Sequence, residues 1–105
     1  MENKNKPDAI FCANDTSALS VIIYLQKIGI KVPEDIAIVG FSNEPFSEVV
    51  TPSISTIKQP GYTIGKKAAE LIIHQINSNK TKPVFETITL PTELIIRDSS
   101  KRNKR

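Results

Sequence analysis

Tryptophan is absent from this 105-residue chain, histidine and cysteine occur once each, and aromatic residues make up only 6%. A core built from such a sequence has to be aliphatic. The lone cysteine, Cys12, permits no internal disulfide, and its place inside an apolar run predicts a buried thiol. That usage fits a reducing, cytoplasmic setting. The lone histidine, His74, has no second histidine or cysteine at metal-ligand spacing, so no zinc site is expected. GxSxG, GxGxxG and P-loop signatures are missing, which leaves nucleophile-elbow chemistry and nucleotide-phosphate binding unsupported. No apolar run approaches the ~20 residues of a membrane helix, and residues 1–6 lack the apolar segment of a secretory signal. The expectation is a protein with no metal, no cofactor and no membrane partner that is not an enzyme.

Charge is nearly balanced: 14 Lys and Arg against 11 Asp and Glu give a formal +3. Much of the excess lies at the ends, in Lys4 and Lys6 and in the run from Lys101 to Arg105. Residues 1–7 read as a disordered start and 101–105 as a solvated basic tail. Between them, 8–100 is enough chain for one small domain with a real but limited core. No helix joins clustered basic residues to a recognition-helix pattern, so the chain carries no DNA-reading module of its own.

Ala9-Ile-Phe-Cys-Ala13 is a continuous apolar run of buried-strand type. Asn14 or Asp15 can cap the helix that follows. That helix reaches about residue 28 and stops at Gly29, a residue suited to the position after a helix end. Val32-Pro33 turns the chain, and 36–39 is the next apolar strand. Strand, helix and strand in this span, both strands apolar throughout, predict an α/β fold: a parallel-sheet βαβ sandwich. A loop over 40–52 follows, then an extended piece at 54–57 broken by Gln59-Pro60-Gly61. A second helix is expected over 62–76 and turn residues over 77–80. Rough alternation over 85–90 and a run at 93–97 suggest two more strands.

On the first helix, Ala18, Val21, Ile22, Leu25 and Ile28 form one stripe suited to packing on the sheet. Leu19 and Ile23 lie roughly 100° and 140° round from Ala18. With Val49 and Val50 in an otherwise polar loop, they suggest an apolar contact patch, covered by a partner or by the last strand. The second helix also has a wide apolar face, through Ile64, Ala68, Leu71, Ile72 and Ile76.

In a parallel sheet, ligand crevices open at the carboxyl ends of the strands. Asn14 and Asp15 follow the first strand; Ser42, Asn43 and Glu44 follow the second. Amides, hydroxyls and carboxylates there can match the hydroxyls of a sugar or nucleoside. Helix capping by Asn14 or Asp15 and turn-making by Ser42 and Asn43 are the competing explanations.

Several motifs, in order and in one register, carry a family resemblance over nearly all of 7–100. They are Phe11-Cys-Ala-Asn-Asp15, Gly29-Ile-Lys-Val-Pro33-Glu-Asp-Ile36, Ile38-Val-Gly-Phe41, Thr51-Pro52 with Thr56-Ile-Lys-Gln-Pro60, Gly65, and Glu93-Leu-Ile-Ile-Arg97-Asp-Ser-Ser100. The chain resembles the C-terminal part of the lactose/galactose-repressor (LacI/GalR) transcription regulators. The resemblance implies a partial periplasmic-binding-protein-like (type I) lobe, without the DNA-binding headpiece. It implies a small-molecule effector, most simply a sugar, bound by Asn14 and Ser42 with Asp15 and Asn43 beside them. Ser42 stands where the family usually has an aspartate that binds effector hydroxyls. The resemblance also places Leu19, Ile23, Val49 and Val50 in a homodimer interface. It implies that helix 62–76 crosses to another lobe and that 93–97 returns. A sugar-binding transport protein is the second reading. A receiver-like signalling domain phosphorylated on Asp15 is the third.

Overall fold

The computed structural model describes residues 6–77 and 86–102. Most of the expected disordered start and basic tail therefore lies outside the described residues, as do part of the 77–80 turn and Phe85. The element order is β1 (Ala9–Phe11), α1 (Asp15–Lys27), β2 (Ala37–Val39), a short 3-10 turn (Pro45–Glu48), β3 (Thr56–Lys58), α2 (Gly61–Asn77) and β4 (Glu93–Ile95). The 8–100 span read as one domain divides into two compact units. One holds the residues up to Lys58 and from Glu93 onward; the other is Gln59–Thr92.

In the first unit β1 and β2 pair in parallel, with Phe11 opposite Val39. The Cys12 N–H extends the pairing by donating to the Val39 carbonyl at 2.8 Å. Val39 also bridges Ser55 in parallel. The crossover between β1 and β2 is α1, as the βαβ pattern requires. Asn14 takes the cap, with φ −155° and ψ 171°, and its side chain accepts the Ser17 N–H at 2.8 Å. Because Asn14 caps, the Asp15 side chain is released to point inward.

Ala18, Ile22 and Leu25 of α1 are buried against Cys12, Ile38 and Ile54. Each large aliphatic side chain buried there contributes roughly 1.5–3 kcal/mol. Ile28 leaves the predicted stripe and is exposed. The helix ends at Lys27, and Ile28 has non-helical angles, φ −96° and ψ 11°, so the helical progression no longer carries it to the sheet. Ile30 packs on the core instead. Its N–H reaches back to the Leu25 carbonyl at 2.8 Å and the Gly29 N–H to Gln26 at 3.2 Å. This is the Schellman closure that a left-handed Gly29, φ +83°, makes possible. Continuous apolarity predicts burial of both faces of β1, yet Phe11 is 65% exposed. Among the described residues β1 is paired on one side only, to β2, and Phe11 alternates away from the core-facing Ile10 and Cys12.

The C-terminal residues are structural. β4 pairs antiparallel with β3, Ile57 opposite Leu94. Beyond it, Ser99 is fully buried. Its Oγ donates to the Ile38 carbonyl at 2.6 Å and accepts the Ser55 N–H at 2.8 Å, while its carbonyl accepts the Ile38 N–H at 2.9 Å. Arg102, assigned by sequence to a solvated tail, donates to the Pro33 carbonyl at 2.7 Å and to the Asp8 carbonyl. A guanidinium fork can join two carbonyls in this way, which a lysine cannot do with the same geometry.

In the second unit none of the α2 side chains is buried. Tyr62, Ile72, Ile73 and Ile76 lie exposed, so the wide apolar face is real. Ile64, Ala68 and Leu71 line a groove of about 470 Å³ with Glu86, Ile88 and Leu90. Residues 86–90 form no strand among the described residues.

Ser99→Ala strands the Ser55 N–H and one bond to the Ile38 carbonyl in a buried place. Unfolding in urea is expected to show a loss of about 1–3 kcal/mol; an unchanged midpoint would exclude this role.

Candidate functional site

The parallel register places the residues after β1 and β2 on one edge. Asn14 and Ser42 stand equally far beyond the paired Phe11 and Val39. The two loops are joined directly, since the Asp15 N–H donates to the Phe41 carbonyl at 3.1 Å. Asn14 is exposed, and Ser42 and Asn43 are half-buried. These three form a rim at the carboxyl end of the strands.

Asp15 is not on that rim. It is 0% exposed. Its Oδ2 accepts the Glu44 N–H at 2.7 Å and the Ser47 hydroxyl at 2.6 Å, and its Oδ1 accepts the Thr56 hydroxyl at 2.7 Å. Thr56 in turn accepts the Asn43 N–H at 3.1 Å. Gly40 lies against this carboxylate: a Cβ there would collide with Oδ1 and sit 3.2 Å from the Asp15 Cα. A sealed carboxylate with satisfied donors meets neither a ligand nor a phosphoryl donor without unfolding the loop. This geometry removes the physical basis of the receiver-like reading, and it makes Asp15 the support of the rim.

Ser42 and Asn43 both have positive φ, 108° and 55°. Asparagine tolerates that region, but serine at 108° is strained. Such conformations persist where surroundings over-determine them, and they concentrate at binding sites. The anchors are visible here. The Ser42 N–H donates to the Ile57 carbonyl at 2.9 Å, and the Asn43 and Glu44 N–H groups are held as described.

A residue given no role by sequence completes the site. Arg97 donates through Nη2 to Asn43 Oδ1 at 2.9 Å and through Nη1 to the Ile54 carbonyl at 3.0 Å. Its backbone N–H is held by Ser55 Oγ at 2.7 Å. The available signal was its type. Arginine occurs only at 97, 102 and 105 in a chain otherwise basic through lysine, and a planar fork at a strand end suggests fixed geometry.

The four residues of the expected contact patch separate into two pairs. Leu19 and Val50 pack partly against the core. Ile23 and Val49 are 57% and 78% exposed. Burial pushes the Cys12 thiol up from its usual range, which keeps it protonated and inert. Among the described residues no cluster of His, Cys, Asp or Glu suits a metal ion, and no helix is long and apolar enough to cross a membrane.

The profile of the family described as periplasmic binding protein-like domain matches residues 1–100. Among curated relatives, the HTH-type transcriptional repressor PurR of Vibrio vulnificus (strain CMCP6) is 38% identical over 100 residues, 94% of this chain and 29% of that protein. The lactose operon repressor of Rhizobium radiobacter is 38% identical over 97 residues, 92% of this chain and 83% of that sequence. Among solved structures, a LacI family transcriptional regulator from Enterococcus faecalis V583 with bound ribose matches with a TM-score of 0.79 at 36% identity. That match covers 92% of this chain and 36% of the regulator. The chain thus spans under a third of the length of the PurR relative.

Asp15→Asn replaces an acceptor of three donors with an amide that itself donates. With hydrogen bonds to a charged group worth about 1.5–3 kcal/mol each, a large loss of stability is expected. Gly40→Ala should destabilise by roughly 1–3 kcal/mol through overpacking against the same group. Wild-type unfolding curves for both variants would show that the knot does not hold the loop.

Proposed function

The chain belongs to the periplasmic binding protein-like domain family, in its lactose/galactose-repressor branch, and from that premise we propose that it forms the effector-sensing part of a bacterial transcription regulator. The effector is a sugar or a related polyhydroxy molecule. It is met at the rim by Asn14, Ser42 and Asn43, with Asp15 acting beneath them as the frame. The observation that supports this most is the shared rim itself. Parallel pairing of β1 and β2 brings Asn14 and Ser42 to one edge; the strained Ser42-Asn43 pair donates its backbone N–H groups to β3, and the next residue, Glu44, donates its own to Asp15.

Short polar side chains on a rigid edge suit a ligand whose hydroxyls both donate and accept. The regulator reads DNA through a helix-turn-helix elsewhere in its length and works in the cytoplasm. Effector bound more tightly by one arrangement of the regulator than by another shifts the balance between them, and with it the affinity for the operator. Nothing in this scheme calls for catalysis. Relatives that are repressors favour this reading over a transport protein.

Copies of the regulator pair through the patch containing Leu19, Ile23, Val49 and Val50. Ile23 and Val49 supply the contact, because they are the exposed members. Leu19 and Val50 support them from the core side.

Calorimetric titration with a panel of pentoses, hexoses, disaccharides and nucleosides tests the sensing role. Ser42→Ala is expected to weaken the ligand that binds by about 1–3 kcal/mol, the cost of an unpaired buried polar group; identical titration curves would reject Ser42 as a contact. For the pairing surface, Ile23→Glu should shift sedimentation towards the monomer, and an unaltered sedimentation profile would reject the patch.

A further inference from the structure

The proposed pairing surface is split between two segments, and each runs from a buried polar anchor to an exposed aliphatic tip. On α1, Asp15, Leu19 and Ile23 stand four residues apart, so they form one ridge that turns about 40° at each step. Asp15 is buried, Leu19 half-buried and Ile23 exposed. On the segment after β2, Ser47 is buried, Val50 half-buried and Val49 exposed. The two anchors meet. The Ser47 hydroxyl donates to Asp15 Oδ2 at 2.6 Å, beside the Glu44 N–H at 2.7 Å. The 3-10 turn Pro45–Glu48 is too short to keep its shape alone. Its own bonds run from the Ser47 N–H to the Glu44 carbonyl at 2.9 Å and from the Val49 N–H to the Phe46 carbonyl at 3.1 Å. From outside it is held by Asp15 and by the Ile54 N–H, which donates to the Ser47 carbonyl at 2.8 Å.

We propose that the Asp15–Ser47 hydrogen bond sets the alignment of α1 with the 3-10 turn, and that Ser47 is thereby a positioning residue for pairing with a second copy of the chain. The inference rests on the pairing reading above and deepens it. Ser47 acts without touching the partner, since it is 0% exposed. Its hydroxyl fixes where the chain leaves the turn, and Val49 stands two residues on. The carboxylate at the other end of the bond begins the ridge that carries Ile23. A surface preset in this way loses less entropy when two copies meet than one whose loop must first be ordered. Thr56 bonds the same carboxylate, through Oδ1 at 2.7 Å, but from β3, which carries neither Ile23 nor Val49. Removing one donor at a time from Asp15 therefore separates alignment of the surface from stability of the fold.

Sedimentation of the full chain over a range of concentrations, with urea unfolding alongside, reads both effects. Ser47→Ala and Thr56→Val each remove one hydroxyl donor from Asp15, and both should lower the unfolding midpoint. Only Ser47→Ala is expected to weaken pairing, by about tenfold or more, a change of ~1.4 kcal/mol; Thr56→Val should pair as the wild type does. Hydrogen exchange gives a second measurement that leaves the bonds to Asp15 untouched, and it decides the matter if either variant fails to fold. In Ile23→Glu, held monomeric by a substitution on the surface, the Glu44 and Val49 amides are expected to exchange as slowly as in the paired wild type, because Asp15 shapes the turn before a partner arrives. Fast exchange there in the monomer, slowed only by pairing, would overturn the inference. Pairing that Thr56→Val weakens as much as Ser47→Ala does, or that Ser47→Ala leaves intact, would do the same. In each of these cases pairing through the patch still stands. A wild type that stays monomeric at every concentration, or an Ile23→Glu variant that pairs like the wild type, would remove the pairing reading itself, and this inference with it.

Discussion

The carboxylate of Asp15 lies where the first strand-helix junction, the loop after β2, the 3-10 turn and β3 converge. A buried carboxylate is costly unless its lone pairs are met by donors. Here Glu44, Ser47 and Thr56 supply them at 2.6–2.7 Å, each from a different piece of chain. The charge that would destabilise an apolar site instead fixes the relative positions of those pieces. Gly40 lacks a side chain because the carboxylate occupies the space one would need. Asn14 is the helix cap for the same reason: with Asn14 bonded to Ser17, Asp15 is free to turn inward. The rim geometry of Ser42 and Asn43 is a consequence of this knot, since their strained backbone needs outside bonds to persist.

A second constraint comes from the far end of the chain. Ser99 sews β2 to the strand-like segment at Ser55, and Arg97 spans from Ile54 to Asn43. Arg102 closes the opposite end of the unit onto Asp8 and Pro33. These bonds join residues far apart in sequence, and they make the C-terminal segment part of the core rather than an appendage. The cost of bringing such distant pieces together is entropic.

Much of the fold was legible in residue pattern. The apolar runs ending before Asn14 and Gly40, with a periodic helix between them, specify a βαβ unit, and the parallel register follows from that connection. The Gly29 stop was equally local. The failures have physical causes. Ile28 was assigned to the packing stripe because periodicity continues past a helix end that backbone angles do not. Phe11 was assigned to a buried strand because a run of apolar residues does not say whether a strand is paired and covered on both sides. At Asp15 the sequence leaves ligand contact and helix capping both open, because a carboxylate at a strand end looks the same whether it faces a ligand, a helix end or, as here, a ring of protein donors.

The sequence by itself determined the class of fold, the sheet edge on which the polar residues after β1 and β2 gather and the chemical types of the groups standing there. Those follow from local propensity, from alternation and from the order of apolar and polar segments, all of which act over short spans. Tertiary structure alone decided the direction in which those groups point. Asp15 turns inward, Asn14 turns its oxygen to Ser17, and Asn43 turns its oxygen to Arg97, because each hydrogen bond needs a partner of opposite type at the right distance. For Asp15 and Asn43 that partner comes from a remote part of the chain.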